Sequence, residues 1–304
     1  MAQAPTRVSY PQRSSAMPSF WMLLACLMFA VSGAFVKLSS ELGATLSQTV
    51  LMRALPSVLL IFVWASLTKR SLAPHSWSSH LGRNIAGGLA MWLSFYAMAH
   101  LPLSMAFSLN YTAPLFIAGW MVITGGVNRD PFRLIAILLG FLGVIAVLQP
   151  AVEKEQWFAS LIGLAAGGCA AAAWLQLRRL GRANEPEWRT VLIFSIFICV
   201  SSLIALAVEG WQSLGTLAWL FLMGNGLLGM LGQLAMTKAY GSGSTLLAAV
   251  LHYSTIIFAS LIGYAVWNDR VGSLALVGIG LIITSGGLST WRTKKLEKSP
   301  RNLA

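Results

Sequence analysis

The sequence predicts an all-α membrane protein of ten transmembrane helices, arranged as two inverted repeats of five. Three observations predict it. The first is composition: 57% of the 304 residues are hydrophobic and only 10% are charged, against about 25% charged in soluble domains. A soluble chain of this size would need far more polar surface to cover its core. The second is the placement of the basic residues, and the third is a repeat along the chain.

Ten apolar runs approach the ~20 residues that cross a hydrocarbon core. They lie at about 18–39, 46–68, 81–100, 103–124, 132–150, 156–178, 188–209, 214–238, 243–267 and 271–291. The first follows Arg13 and holds small residues at Ser32–Ala34, as a secretory signal does. With nine runs behind it, it reads as an uncleaved first helix. The connections are short and leave no room for a soluble catalytic module. The expected organisation is a cytoplasmic segment 1–17, a first repeat 18–150, a second repeat 156–291 and a basic cytoplasmic tail 292–304.

A net charge of +12 would suit nucleic acid, but the distribution excludes it. With the amino terminus inside, 17 of the 21 Lys and Arg fall in inner segments, and only Lys154 and Arg270 in outer loops. That is the positive-inside pattern. It places both termini of a multi-pass membrane protein in the cytoplasm. Cys26, Cys169 and Cys199 lie inside apolar runs without metal-ligand spacing and read as small buried hydrophobes.

The repeat is carried by "AMAHLPLSMAFSLNYTAPLF" from Ala97 and "AMTKAYGSGSTLLAAVLHYSTIIF" from Ala235. Pro114 and Tyr253 stand 139 residues apart, as do Asp130 and Asp269, and "SGAFVKL" matches "AAAWLQL" at the same offset. Each acid precedes a final glycine-bearing span. Five spans per copy is odd, so the second copy starts from the opposite face. Inverted repeats of this kind enclose a midplane site in secondary transporters.

Arg53, in "LMRALP", and the "HLPLSMAFSLNYTAPLF" stretch resemble the drug/metabolite transporter superfamily in its EamA family of ten-helix bacterial carriers. So does the acid-plus-glycine pattern opening spans 5 and 10. The resemblance covers about residues 18–290. It implies two inverted five-helix halves around a cavity, with spans 1–4 and 6–9 shaping it and spans 5 and 10 peripheral. It favours export of amino acids or related metabolites, with exporters of opine-type metallophores similar in kind. Many relatives carry Glu-Pro in span 9 where this chain has His252-Tyr253, and often Glu where it has Asp130 and Asp269. The span 9 change removes the basis for carboxylate-based coupling.

Arg53 lies roughly 10 Å along span 2 from its outer end. A charge at that depth costs at least ~2.5 kcal/mol and should face the bundle interior or water. It is either a cavity cation for anionic groups or a side chain that snorkels or satisfies backbone carbonyls. Lys37, near the outer end of span 1, either snorkels or meets the substrate. His252 sits about ten residues into span 9. It is the one group in the span interiors that titrates near neutrality, and so the candidate should transport be coupled to protons. The further cavity candidates are Trp92 and Tyr96 in span 3, Asn110 and Tyr111 in span 4, Asn225 in span 8 and Tyr253 in span 9. Ser94 and Gln233 are further polar residues of the span interiors. Each polar one could equally join helix to helix. Pro114, Gly241 and Gly243 are hinge candidates, since backbone breaks are tolerated beside a cavity.

No metalloprotease, nucleophile-elbow or phosphate-loop motif is present, and no channel filter or charged ring. The sequence calls for no enzyme activity, cofactor or metal. The expected function is an inner-membrane secondary transporter working by alternating access. Its expected cargo is a small zwitterionic amino-acid-like metabolite moved outward, such as an opine-type metallophore. Uptake of a vitamin or nucleoside-like metabolite is the alternative. The expected partners are that small molecule and membrane lipid; a homodimer stays open.

Overall fold

The computed structural model describes residues 16–74, 76–113, 156–183, 185–242, 251–269 and 272–297, with scattered positions between 116 and 146. All regular structure among them is helical. The first half supplies α1 (Ala16–Glu41), α2 (Leu46–Leu67), α3 (Trp77–His100) and α4 (Leu103–Asn110). The second supplies α5 (Trp157–Arg182), α6 (Glu187–Glu209), α7 (Thr216–Ser242), α8 (Ser254–Trp267) and α9 (Ser273–Glu297). These correspond to the expected spans 1–4 and 6–10. Span 5, apart from isolated positions, lies outside the described residues. So do Pro114, Asp130, Gly243, residues 1–15 and residues 298–304.

Five helices among the described residues are long and apolar enough to cross a membrane, within α1, α2, α5, α6 and α7. Boundaries shift modestly from expectation. Helix α3 starts at Trp77 rather than near 81, and α9 continues through Glu297, into the segment expected as a tail. The outside of the bundle is apolar. Val208 is 86% exposed, Leu67 79% and Leu220 65%, a surface suited to hydrocarbon and not to water.

Local chemistry sets the turns. Gly43 adopts φ 88° after α1, a conformation open to glycine without strain. Thr45 then caps α2. Its hydroxyl accepts from the Gln48 N–H at 3.2 Å, and the Gln48 side chain accepts from the Thr45 N–H at 3.0 Å. Asn268 ends α8 in the left-handed region at φ 54°.

The helix pairings run mostly between the halves. Helices α1–α7 and α3–α5 make the two most extensive contacts. Helices α2–α6 and α4–α8 also pair, as do α1–α8 with α4–α5, and α2–α7 with α3–α6. Exchanging each helix for its counterpart in the other half reproduces this set. The main apolar core lies along these seams. It includes Ala30, Ala34, Val50, Phe95, Met98, Leu101, Leu109, Ile198 and Ile256.

Hydrogen bonds and ion pairs show which helix ends share a side. Ser47 donates to Glu209, and the Gln48 amide donates to the Gln212 carbonyl at 2.9 Å. Lys37 Nζ lies 3.5 Å from Asp269 Oδ2 and 4.5 Å from the Trp267 ring centroid. The end of α1, the start of α2 and the ends of α6 and α8 therefore meet at one end of the bundle. At the other, Arg189 on α6 donates to the Ser71 carbonyl at 2.8 Å and to Glu185 Oε1 at 2.9 Å. His80 Nε2 is 3.5 Å from the same carboxylate oxygen.

Candidate functional site: a cavity between two interrupted helices

Helix α4 stops at Asn110 and the chain turns at Tyr111 and Thr112. Pro114 accounts for the position of the stop. It has no N–H to give the Asn110 carbonyl four residues back, and a proline ring clashes with that carbonyl in a continuing helix. In this turn the Thr112 hydroxyl donates to Leu109 O at 2.6 Å, which also accepts the Thr112 N–H at 3.2 Å. In the second half, helical bonding is interrupted at Tyr253, before α8. There Thr255 Oγ1 donates to His252 O at 2.9 Å, and Cys26 Sγ reaches Leu251 O at 3.3 Å. Side chains thus donate to backbone carbonyls at both interruptions.

The two interruptions meet. The Tyr111 hydroxyl and His252 Nε2 are 3.2 Å apart, and their rings are edge to face at 4.7 Å. The Trp174 ring stacks on His252 at 5.8 Å and 25°, and the Phe29 ring lies at 6.4 Å. His252 is only 5% exposed. Its Nδ1 has no hydrogen-bond partner among the described residues, and neither has Asn110 Oδ1.

These residues border a cavity of about 200 Å³. Its polar lining comes from Ser32, Arg53, Ser94, Asn110, Gln233 and His252. The aromatic lining comes from Phe29, Phe95, Phe107, Tyr111 and Trp174. Arg53 is the single formal charge among these lining residues, and no carboxylate borders the cavity among the described residues.

Glycines in α7 seat Arg53. Its Nη2 donates to Gly229 O at 2.9 Å, and a Cβ on Gly229 would overlap the guanidinium. A Cβ on Gly226 would collide with the Met52 carbonyl. The run "MGNGLLGMLG" therefore brings α7 onto α2 at the depth of the charge. Arg53 both answers a backbone carbonyl and faces the cavity, so the two sequence readings describe one placement.

Of the expected site residues, the structure brings Arg53, Asn110, Tyr111 and His252 together on this lining. The other described ones lie off it. Trp92 Nε1 donates to Ser201 Oγ at 3.3 Å, joining α3 to α6. Tyr96 stacks on His100 at 4.1 Å near the end of α3. Asn225 is fully buried; it accepts from Ser32 at 2.7 Å and donates to Thr49 O at 3.3 Å, binding three helices. Tyr253 is buried with its ring 6.3 Å from Tyr111. Lys37 is held at the end of the bundle by Asp269 and Trp267. Gly241 falls in the last turn of α7. Sequence reasoning missed Trp174 and Phe29. The repeat held the one signal for Trp174, which is the counterpart of Phe35 at the 139-residue offset.

Comparison with known proteins agrees with this geometry. The EamA-like transporter family matches residues 16–149 and again 157–291. The pseudopaline exporter CntI of Pseudomonas aeruginosa is 27% identical over 281 residues, covering 90% of this chain and 95% of that protein. The riboflavin transporter of Vibrio cholerae is 25% identical over 294 residues, covering 94% and 97%. A solved crystal structure, 18% identical, matches with a TM-score of 0.62 over 94% of this chain and 100% of its own, a likeness of fold. The two family matches fall on the two halves that pair across the cavity, and they make this chain a membrane transporter belonging to the EamA-like transporter family.

Proposed function

We propose that this protein exports a small, carboxylate-bearing, amino-acid-like metabolite across the bacterial inner membrane by alternating access. The observation that carries the reading is the cavity itself. Two interrupted helices meet there, and the single formal charge among its described lining residues is the Arg53 guanidinium. A carboxylate placed beside it gains a charge-assisted hydrogen bond in a poorly solvated site. The unpaired Asn110 Oδ1 and His252 Nδ1 suit the amine and carbonyl groups of such a molecule. The likeness to a pseudopaline exporter supports the same class and direction.

The carrier is proposed as ten spans in two inverted halves, 18–150 and 156–291, with both termini cytoplasmic. The exchange symmetry of the helix pairings and the lysine and arginine distribution support this. His252 is the proposed proton-responsive group, since it is the histidine on the lining.

A second reading has its own support. Five aromatic rings on the lining suit a flat heterocycle, and a riboflavin transporter is among the relatives. Uptake of a vitamin or nucleoside-like compound is that alternative. Metabolite profiling of a deletion strain separates the two. Export predicts that the compound builds up inside cells and falls in the medium. Uptake predicts failed accumulation from the medium. No change in an amino-acid-like compound, with loss of uptake of a heterocycle, overturns the export reading. In membrane vesicles, His252→Gln should abolish any dependence of flux on an imposed pH gradient; an unchanged dependence removes His252 from coupling.

A further inference from the structure

A second built site lies away from the central cavity, at the end of the bundle that carries His80 and Glu185. It is a groove of about 400 Å³ between the end of α2 and the start of α6, lined by Thr68, Arg70, Ser71, Pro186, Trp188 and Arg189. Its turn is tightly made. Lys69 takes the left-handed φ of 51°, costly for a residue with a Cβ. Arg70 N–H then returns to Ala65 O at 2.9 Å. This brings Arg70 and Ser71 back against α6.

Aromatic rings and guanidinium groups alternate around the groove. Trp64 and Trp188 meet edge to face at 5.6 Å. Arg70 Cζ lies 5.4 Å from the Trp64 ring and Arg189 Cζ 5.4 Å from the Trp188 ring. Arg189 is only 6% exposed. Two of its nitrogens are used by Glu185 and Ser71 O, while Nε has no hydrogen-bond partner among the described residues. Arg70 is exposed and meets no carboxylate among the described residues. Glu187, at the start of α6, is exposed and off the groove lining. The first N–H groups of α6 also lack intrahelical acceptors. The groove thus brings together two guanidinium groups, one of them with a buried donor that has no hydrogen-bond partner among the described residues.

What adjoins it identifies the ligand. Along α2 below the groove, Leu59, Leu60, Phe62, Val63 and Trp64 are all exposed, from 43% to 56%. This apolar face runs from the polar groove into the part of the helix that meets hydrocarbon. Tryptophans with arginine beside them mark the headgroup level of a bilayer, and basic pockets between helix ends take anionic headgroups. We propose that this groove binds one anionic glycerophospholipid. Its phosphate sits between Arg70 and Arg189 Nε, its headgroup hydroxyl meets Ser71, and an acyl chain lies along the α2 face. A zwitterionic lipid would set its ammonium against two guanidinium groups. The bound lipid would tie the end of α2, in the first half, to the start of α6, in the second.

The test uses the purified full-length chain in detergent. Native mass spectrometry follows retention of phosphatidylglycerol and of phosphatidylcholine with the same acyl chains, with inorganic phosphate as competitor. The expected result is one phosphatidylglycerol per chain, retained in preference to phosphatidylcholine. Arg70→Gln should lower that retention about fivefold, and Arg70→Lys should restore part of it. Arg70 is an exposed loop residue, so unchanged gel-filtration behaviour certifies the variant as folded. Arg189→Lys keeps a partner for Glu185 but loses Nε, and should also weaken retention. Equal retention of the two lipids overturns the proposal, as does unchanged phosphatidylglycerol binding by folded Arg70→Gln. Displacement by inorganic phosphate at equal concentration also overturns it, assigning the groove to a free oxyanion.

Discussion

A buried guanidinium depends on what its neighbours lack. Arg53 fits against α7 because position 229 has no side chain, and the Gly229 carbonyl then accepts its hydrogen bond. Gly229→Ala should push the guanidinium off this seat, at an overpacking cost of about 1–3 kcal/mol, and lower transport as far as Arg53→Gln does. Gly280→Ala is the control, since a Cβ there meets nothing within 4 Å. Thermal unfolding in detergent and vesicle flux on both variants check this; a fully active Gly229→Ala would show that the seat is dispensable. Arg53, Asn110, Tyr111 and His252 were legible in the sequence because polar groups in apolar runs stand out. Trp92 and Asn225 stand out equally and yet serve helix contacts, because composition cannot tell which face of a helix a polar group occupies. Trp174 was marked only by its repeat counterpart Phe35, since an aromatic residue among alanines otherwise looks like any packing residue.

At each interrupted helix, hydroxyl or thiol groups donate to backbone carbonyls. Thr255→Val removes the bond to His252 O and should cost about 1 kcal/mol. It should also disturb cavity geometry more than Ser260→Ala, whose hydroxyl bonds Ile256 O within unbroken helix at 2.8 Å. Melting temperature and substrate KM, measured together, test this; equal effects of the two variants would count against a special role for the interruption. At this scale the sequence predicted helix number and approximate limits among the described residues. It placed looseness at Pro114 and at the Gly241–Ser244 run. The turns described are at Tyr111–Thr112 and at Tyr253, since a proline acts on the turn before it and the 253 interruption has neither proline nor glycine to mark it.

Across the whole molecule, contacts at both ends bind one half to the other. At one end Lys37 meets Asp269, and Trp267 Nε1 donates to Glu41 at 2.7 Å. At the opposite end Arg189 and Ser71 do the same work. The proposed alternating access would require each set to part in turn. Lys37→Gln should therefore shift the balance toward opening at its own end by up to about fivefold, the scale of one partly exposed ion pair. Maleimide labelling of a cysteine placed at Ser94, with the native cysteines replaced, reads that shift from each side of the membrane. An unchanged rate would mean that the pair does not restrain opening. The repeat was legible as a spacing of 139 residues, whereas which helices would pair across it was not, because the partners of α1 and α3 are distant in sequence. Reporter fusions at the two termini should report the same compartment.

The Tyr111–His252 contact joins unlike residues, for at the 139-residue offset the counterpart of His252 is Ala113. A duplicated scaffold has thus been furnished unevenly, with the imidazole on one side only. The inward-open and outward-open forms of such a machine are not mirror images and need not have equal energies. A resting preference for one of them would be written into the walls before any cargo arrives.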